Sequence, residues 1–141
     1  MANLHLLSNH LPIVGTFLGL VLLLFALFKP DFKSAISAYV VMVISGIGGL
    51  IAYVSGGSAE HEAERIKGIS HKVIHIHEEM AENTLFFIFA LTALAVIGLW
   101  AEKSEWASAR RIQIGALVVG IIAFILFAFT GYLGGHIRHG A

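Results

Sequence analysis

Histidine and carboxylate side chains are concentrated in one short stretch near the middle of the chain. Residues 71–83, with the sequence HKVIHIHEEMAEN, contain three histidines and three glutamates. At 3.6 residues per turn, one face of a helix would carry His71, His75, Glu78 or Glu79, and Glu82. His77 would lie on another face. Imidazole and carboxylate groups spaced by a turn can bind a metal ion from one side of a helix. The same spacing is also typical of a solvated amphipathic helix.

The composition decides the class of protein. Of the 141 residues, 57% are hydrophobic and 13% are charged, and the mean hydropathy is +0.85. A soluble domain of this size is less apolar, so the chain is predicted to lie in a membrane. Cysteine is absent. Disulfides, iron–sulfur clusters, covalently attached c-type haem and thiolate zinc sites are therefore excluded. The formal net charge of zero gives no indication of a nucleic-acid partner.

Four apolar runs predict four transmembrane helices in a single membrane domain that spans residues 1–141. The expected spans are approximately residues 11–28, 34–54, 80–100 and 112–133. Two connections are short and one is longer, which predicts an all-α, up-down four-helix bundle. A short polar segment, which could itself be helical, is expected before the third helix. The first run lacks a basic segment in front of it and is interpreted as a retained anchor.

Histidines and acids gather on one predicted side of the membrane. With four spans, the N-terminus, the second connection and the C-terminus share a side, and all eight histidines belong to it: His5, His10, His61, His71, His75, His77, His136 and His139. The first span has basic residues only after it, at Lys29 and Lys33. This arrangement favours both termini outside the cytoplasm, on the periplasmic face of a bacterial inner membrane.

The depth of these histidines predicts a cofactor. His10, His61, His77 and His136 each fall within a turn or two of the membrane boundary, one on each helix. Glycines leave room at the same end, at Gly15, Gly56, Gly57, Gly131, Gly134 and Gly135. Imidazoles beside open space in a bundle favour haem b. The candidate cofactor-binding residues are His10, His71, His75, His77, His136, His139 and Arg138.

Among the candidates for axial ligands, His10, His75 and His136 rank first, with His71 and His77 as reserves. Arg138, Lys72 or Arg65 could pair with the propionates. Phe86 and Phe89 are expected to form apolar walls inside the bundle. Two alternatives stay open. An iron, zinc or copper ion could bind the histidine cluster with Glu78 and Glu82 as further ligands. The chain could instead be a cofactor-free accessory subunit of a larger respiratory or transport complex.

The two ends of the chain also carry a family resemblance. The opening HLLSNHLPI, residues 5–13, resembles a family of small four-helix bacterial membrane proteins of unknown function. Its members begin His-Pro, three residues, then His-Phe-Pro-Ile, whereas Leu6 stands here in place of the first proline. Residues 130–135, TGYLGG, and the later His139-Gly140 are similar to that family's closing segment. Members are fused to Rieske or cytochrome c domains, which implies redox work on the outer face.

The four-helix architecture is also loosely similar to b-type cytochromes with bis-histidine haem. The expected partners are the lipid bilayer and a redox protein or respiratory complex on the outer face. A homo-oligomer is left open. The sequence contains neither a Ser-His-Asp arrangement nor a phosphate-binding glycine loop, so nothing in it indicates a hydrolase.

Overall fold

The computed structural model contains four long α-helices and no strands in the part of the chain that it describes. The described backbone covers residues 8–29, 34–63 and 71–139, and the described side chains cover 8–29, 34–57 and 71–135. The helices are α1 His10–Phe28, α2 Ser34–Ala63, α3 His71–Lys103 and α4 Ala109–His139. Each contains a segment long and apolar enough to cross a membrane. The prediction of an all-α bundle of four transmembrane helices is confirmed.

The helices pack in chain order around a ring, and α1 closes the ring against α4. Gly15 faces Ser45 and Gly19 faces Met42, so residue numbers rise along α1 as they fall along α2. This antiparallel arrangement is the one that short connections favour. The interior is filled mainly by aliphatic and small side chains, with one fully buried aromatic ring: Leu20, Leu23, Ala38, Tyr39, Met42, Ile88, Leu91, Ala95, Ala116 and Ala123.

A seven-residue repeat determines which face of α3 is buried. Its interior residues alternate in steps of four and three, at Thr84, Ile88, Leu91, Ala95 and Gly98. An average spacing of 3.5 residues is the pattern by which antiparallel helices in bundles keep one seam facing their neighbours. Counting seven residues back from Thr84 reaches position 77. The repeat therefore continues from the apolar part of α3 into its polar first turns.

Glycines allow the helices to approach closely. A Cβ on Gly49 would lie 3.5 Å from Ile88 and 3.7 Å from Phe127. A Cβ on Gly98 would overlap the ring of Tyr39. Without a hydrophobic driving force between helices in lipid, small residues at the contacts contribute through closer packing. Gly57 and Gly135, which were expected to leave room at one end of the bundle, have nothing within 4 Å of an added Cβ.

Two helices extend further than their apolar runs. The α2 helix continues to Ala63, so residues 58–63, which were predicted to belong to a polar connection, are helical. His61 therefore lies in the last turn of α2. The polar segment expected before the third span forms the first turns of α3, which begins at His71. Asn9 occupies the N-cap position of α1 but makes no capping hydrogen bond through its side chain.

The connection between α3 and α4 is compact. The backbone N–H of Trp106 donates to the carbonyl of Ala101 at 2.9 Å, and Glu105 takes a left-handed φ of 50° in the turn. The rings of Trp100 and Trp106 pack edge to face with centroids 5.2 Å apart. Tryptophan pairs of this kind are typical of the boundary between lipid and water. We call this end of the bundle, which also carries the connection between α1 and α2, the short-loop end.

Candidate functional site

The histidines lie at the end of the bundle opposite the short-loop end. His10 is the first residue of α1, and His71, His75 and His77 lie in the first two turns of α3. We call this end the histidine end. Residues 61, 136 and 139 lie in the last turns of α2 and α4, but the side chains of His61, His136, Arg138 and His139 are outside the described residues. His5 and Arg65 lie outside them altogether.

The predicted stripe of histidines and glutamates exists, but it faces away from the bundle. The side chain of His75 is 71% exposed, and its Nε2 lies 3.8 Å from Oε1 of the exposed Glu79. Phe86 and Phe89, which were expected to form interior walls, are 69% and 46% exposed. That expectation is wrong, because these positions fall between the repeats of the interior stripe. His71, Lys72, Glu78 and Glu82 are exposed as well.

His77 is the histidine of α3 that faces a neighbouring helix. It is partly buried, and its Nδ1 lies 3.0 Å from the backbone oxygen of Thr130 on α4. A carbonyl oxygen can only accept, so Nδ1 carries the proton and donates it. In the neutral ring the lone pair then lies on Nε2. A histidine that donates Nδ1–H to a backbone carbonyl has the tautomer and the fixed orientation found in histidines that bind metals through Nε2.

Gly134 makes this position of the imidazole possible. A Cβ on Gly134 would lie 3.2 Å from Cε1 of His77, which is closer than nearly all real Cβ contacts. Gly134 is also four residues after Thr130, so it lies over the carbonyl that accepts the hydrogen bond. A Cβ at this position would require the ring to shift by a few tenths of an ångström. The glycine therefore contributes space at the one turn of α4 where the imidazole reaches the backbone.

Two threonines extend the polar contact between α3 and α4 towards the membrane interior. The hydroxyl of Thr84 donates to the carbonyl of Met80 at 2.6 Å, and Oγ1 of Thr84 lies 3.1 Å from Oγ1 of Thr130. Because the single proton of Thr84 is used on Met80, Thr130 donates to Thr84. Thr130 thus accepts a hydrogen bond from His77 through its carbonyl and donates one to Thr84 through its hydroxyl. This network sets both the distance and the rotation of α3 against α4.

Histidine positions on three helices share one depth at the histidine end. From the contact between Gly49 and Ile88, position 61 lies about 18 Å further along α2 and position 77 about 16 Å further along α3 at 1.5 Å per residue. Position 136 lies two residues beyond Gly134, the residue that contacts His77. The backbones of α2, α3 and α4 therefore each bring a histidine to within about one turn of the same level.

His10 has a different environment. It is exposed, and it lies beside a groove on the outer surface of the bundle between α1 and α2. The groove is lined by apolar side chains such as Val14, Leu18 and Ile44. Ile13, three residues after His10, approaches Gly131 of α4. A Cβ added at Gly131 would lie 3.4 Å from Cδ1 of Ile13. His10 is thus near the depth of the other histidines, but outside the interior stripe.

A non-haem metal site does not form among the described side chains. Within them, no group of three or more histidine, aspartate or glutamate residues is close enough to hold an ion. Glu78 and Glu82, the expected carboxylate ligands, are exposed. The alternative of an iron, zinc or copper ion in the histidine cluster stays a prediction without a described ligand set.

Thr130 and Gly134 belong to the site more directly than the sequence indicated. Gly134 was expected to leave room, but its pairing with His77 was not predicted, and Thr130 had no assigned role in the site. The seven-residue interval that links His77 to Thr84 and Leu91 was a signal for His77, but not for its partners on α4. No protein-family model, no curated protein and no solved structure matches this chain, so the site is interpreted from its own geometry.

Proposed function

We propose that this small membrane protein binds haem b at its histidine end and acts in electron transfer, with His77 as one axial ligand. The observation that carries the proposal is the hydrogen bond from Nδ1 of His77 to the carbonyl of Thr130. It fixes the imidazole on the interior side of α3 and leaves the lone pair on Nε2. His77 replaces His75 as the first candidate, because His75 is on the exposed face.

The surroundings of His77 fit such a group in three respects. Gly134 leaves room on α4 for the imidazole of His77. The hydroxyls of Thr84 and Thr130 are used in the contact between helices, which keeps the wall rigid. Histidines at the same depth on α2 and α4, His61 and His136, are the candidates for the second ligand. When bound between two imidazoles, haem iron supplies one-electron transfer between its ferric and ferrous states.

The distribution of charge supports an orientation for this function. In the full sequence the short-loop end carries five basic residues and the histidine end four, but six of the nine acidic residues lie at the histidine end. The flanks of the first helix decide more, because its basic residues, Lys29 and Lys33, come only after it. Basic residues concentrate on the cytoplasmic side of membrane proteins. We infer that the histidine end faces the periplasm of a bacterial inner membrane, where a redox protein or respiratory complex would meet it.

Orientation can be tested with a topology reporter fused after Ala141. We expect a periplasmic signal, because the short-loop end would then face the cytoplasm with its basic residues. A matched fusion in the connection between α3 and α4, after Ser104, should give the cytoplasmic signal. The reverse pair of signals would contradict the proposed direction of electron transfer. The resemblance to the small four-helix bacterial family, and the redox role that it implies, stays a prediction.

The cofactor can be tested with absorbance spectra of the purified chain, oxidised and dithionite-reduced. We expect a Soret band in the parent protein, and its loss or a shift to a high-spin form in His77→Ala. His75→Ala is the matched control, since it removes an imidazole two residues away on the exposed face. Its spectrum should equal that of the parent. Equal spectra in both variants would contradict the role of His77.

A second candidate function rests on the same hydrogen bond. The contact between His77 and Thr130 joins α3 to α4, so it can serve packing alone in a cofactor-free accessory subunit of a larger complex. In that case the parent protein, produced in cells that supply haem, would show no Soret band. His77→Ala would then lower stability and have no other effect. The presence or absence of the band in the parent therefore decides between the two functions.

A further inference from the structure

A second group of polar side chains is buried at the short-loop end. Gln113 on α4 donates from Nε2 to Oε1 of Glu102 on α3 at 2.7 Å. Gln113 is only 8% exposed, and its other amide atom, Oε1, is buried without a hydrogen-bond partner. Glu102 is partly buried beside it. The nitrogen of this amide is therefore held by Glu102, while its oxygen is buried next to the same contact and accepts no hydrogen bond.

Tyr39 of α2 brings a third oxygen to this space. The residue is fully buried, and its hydroxyl has no hydrogen-bond partner. Its ring packs against Gly98, which precedes Glu102 by four residues and so lies one turn away on the same face of α3. Side chains on a helix lean towards its N-terminus, which for Tyr39 is the direction of Glu102.

Among the described residues, these three groups have no basic partner. No lysine or arginine nitrogen among the described residues lies within 4.0 Å of the Glu102 carboxylate, since the one described contact of this kind is that of His75. Arg110, three residues before Gln113, is exposed and donates to the backbone oxygen of Leu27 at 2.8 Å. A carboxylate and two unused oxygens in an apolar bundle are costly when left unsatisfied. A water molecule would complete their hydrogen bonds but would leave the charge uncompensated.

We propose that Tyr39, Glu102 and Gln113 form a binding site for a monovalent alkali cation at the short-loop end. Oxygen ligands suit hard cations, and a carboxylate, an amide oxygen and a phenol together carry a single negative charge. A monovalent ion makes the group neutral, whereas a divalent ion would leave a positive charge in an apolar surrounding. The site joins α2, α3 and α4, so a bound ion stabilises the packing of three helices. It does not depend on the haem proposal.

Thermal unfolding of the purified full chain in detergent tests the site, with Na⁺ as the probe. The Tm is measured in increasing NaCl at constant ionic strength, with choline chloride as the replacement salt. Because an ion that binds the folded state alone stabilises it, the Tm should rise and saturate with Na⁺. Direct binding of radioactive Na⁺ to the parent protein should saturate over the same range. K⁺ in place of Na⁺ then measures the selectivity of the site.

Three substitutions distinguish the site from a general salt effect. Glu102→Gln should abolish the saturable response, and Tyr39→Phe, which keeps the ring against Gly98, should weaken Na⁺ binding by about ten-fold. Glu105→Gln, a carboxylate removed on the exposed turn nearby, should respond like the parent. If Glu102→Gln does not fold, Tyr39→Phe and direct binding still decide. An equal Tm of the parent in Na⁺ and choline, or an unchanged response in Glu102→Gln, would overturn the proposal.

Discussion

At each end of the bundle a side-chain ring from one helix packs against a glycine of the next helix, but the two contacts differ in distance. At the short-loop end the ring of Tyr39 lies against Gly98, and at the histidine end the ring of His77 lies against Gly134. Tyr39 is fully buried and overlaps the space that a Cβ on Gly98 would need. His77 is only partly buried, keeps 3.2 Å from the corresponding Cβ position, and is oriented by a hydrogen bond. The tight contact leaves no freedom to the Tyr39 ring, whereas the looser one leaves the imidazole of His77 partly accessible.

The largest effect is expected at the tight contact. Gly98→Leu would force the Tyr39 ring out of the interface, and we expect a loss of about 3 kcal/mol or more in the free energy of unfolding. Gly115→Leu is the matched control, because an added Cβ at Gly115 meets nothing within 4 Å. Chemical or thermal unfolding in detergent measures both. Similar losses in the two variants would show that the ring and glycine contact does not anchor the short-loop end.

A smaller effect is expected at the looser contact. Gly134→Ala places a Cβ 3.2 Å from Cε1 of His77, so the imidazole must shift by a few tenths of an ångström. We expect a stability loss of about 1 kcal/mol or less. If His77 binds haem as proposed, the Soret maximum should also shift, because the imidazole changes its orientation. Gly135→Ala, whose Cβ meets nothing within 4 Å, should leave the spectrum unchanged. A Soret shift of the same size in both variants would contradict a specific role of Gly134 beside His77.

The sequence predicted the number and order of the helices and the end at which the histidines lie. These follow from apolar runs of bilayer length and from counting connections. It did not predict the helix ends at Ala63 and His71, because hydropathy marks the part of a helix that lies in lipid. Backbone hydrogen bonds continue through polar residues beyond that part.

The orientation of the histidines was harder to predict. The stripe that contains His71 and His75 was predicted to be the site because it is rich in imidazole and carboxylate groups. Charged groups at the membrane surface, however, turn towards water. The buried stripe of α3 is defined by small and aliphatic residues, among them Ile88 and Leu91. Counting back by sevens from Leu91, through Thr84, reaches His77 and places it on the same stripe. The partners Thr130 and Gly134 depend on the register between α3 and α4, which one helix alone does not determine.

The buried group at the short-loop end had no signal in the sequence. Glu102 and Gln113 lie near the ends of two spans, where polar residues are common and usually face water. Only the packing of α3 against α4 brings the amide to the carboxylate, and only the packing of α2 against α3 places the Tyr39 ring at Gly98, one turn from Glu102. The comparison between the two ends therefore depends on contacts between helices, which are the part of the fold that composition and periodicity predict least.

Rescue of His77→Gly by free imidazole tests the central claim most directly. The substitution removes the ring and leaves space beside Gly134, where dissolved imidazole can enter and supply the missing nitrogen to the haem iron. We expect a high-spin or absent Soret band without imidazole, and saturable recovery of the parent's low-spin spectrum as imidazole is added. His75→Gly should show the parent's spectrum throughout. A His77→Gly protein that keeps the parent's spectrum without imidazole would contradict the assignment of His77 as an axial ligand.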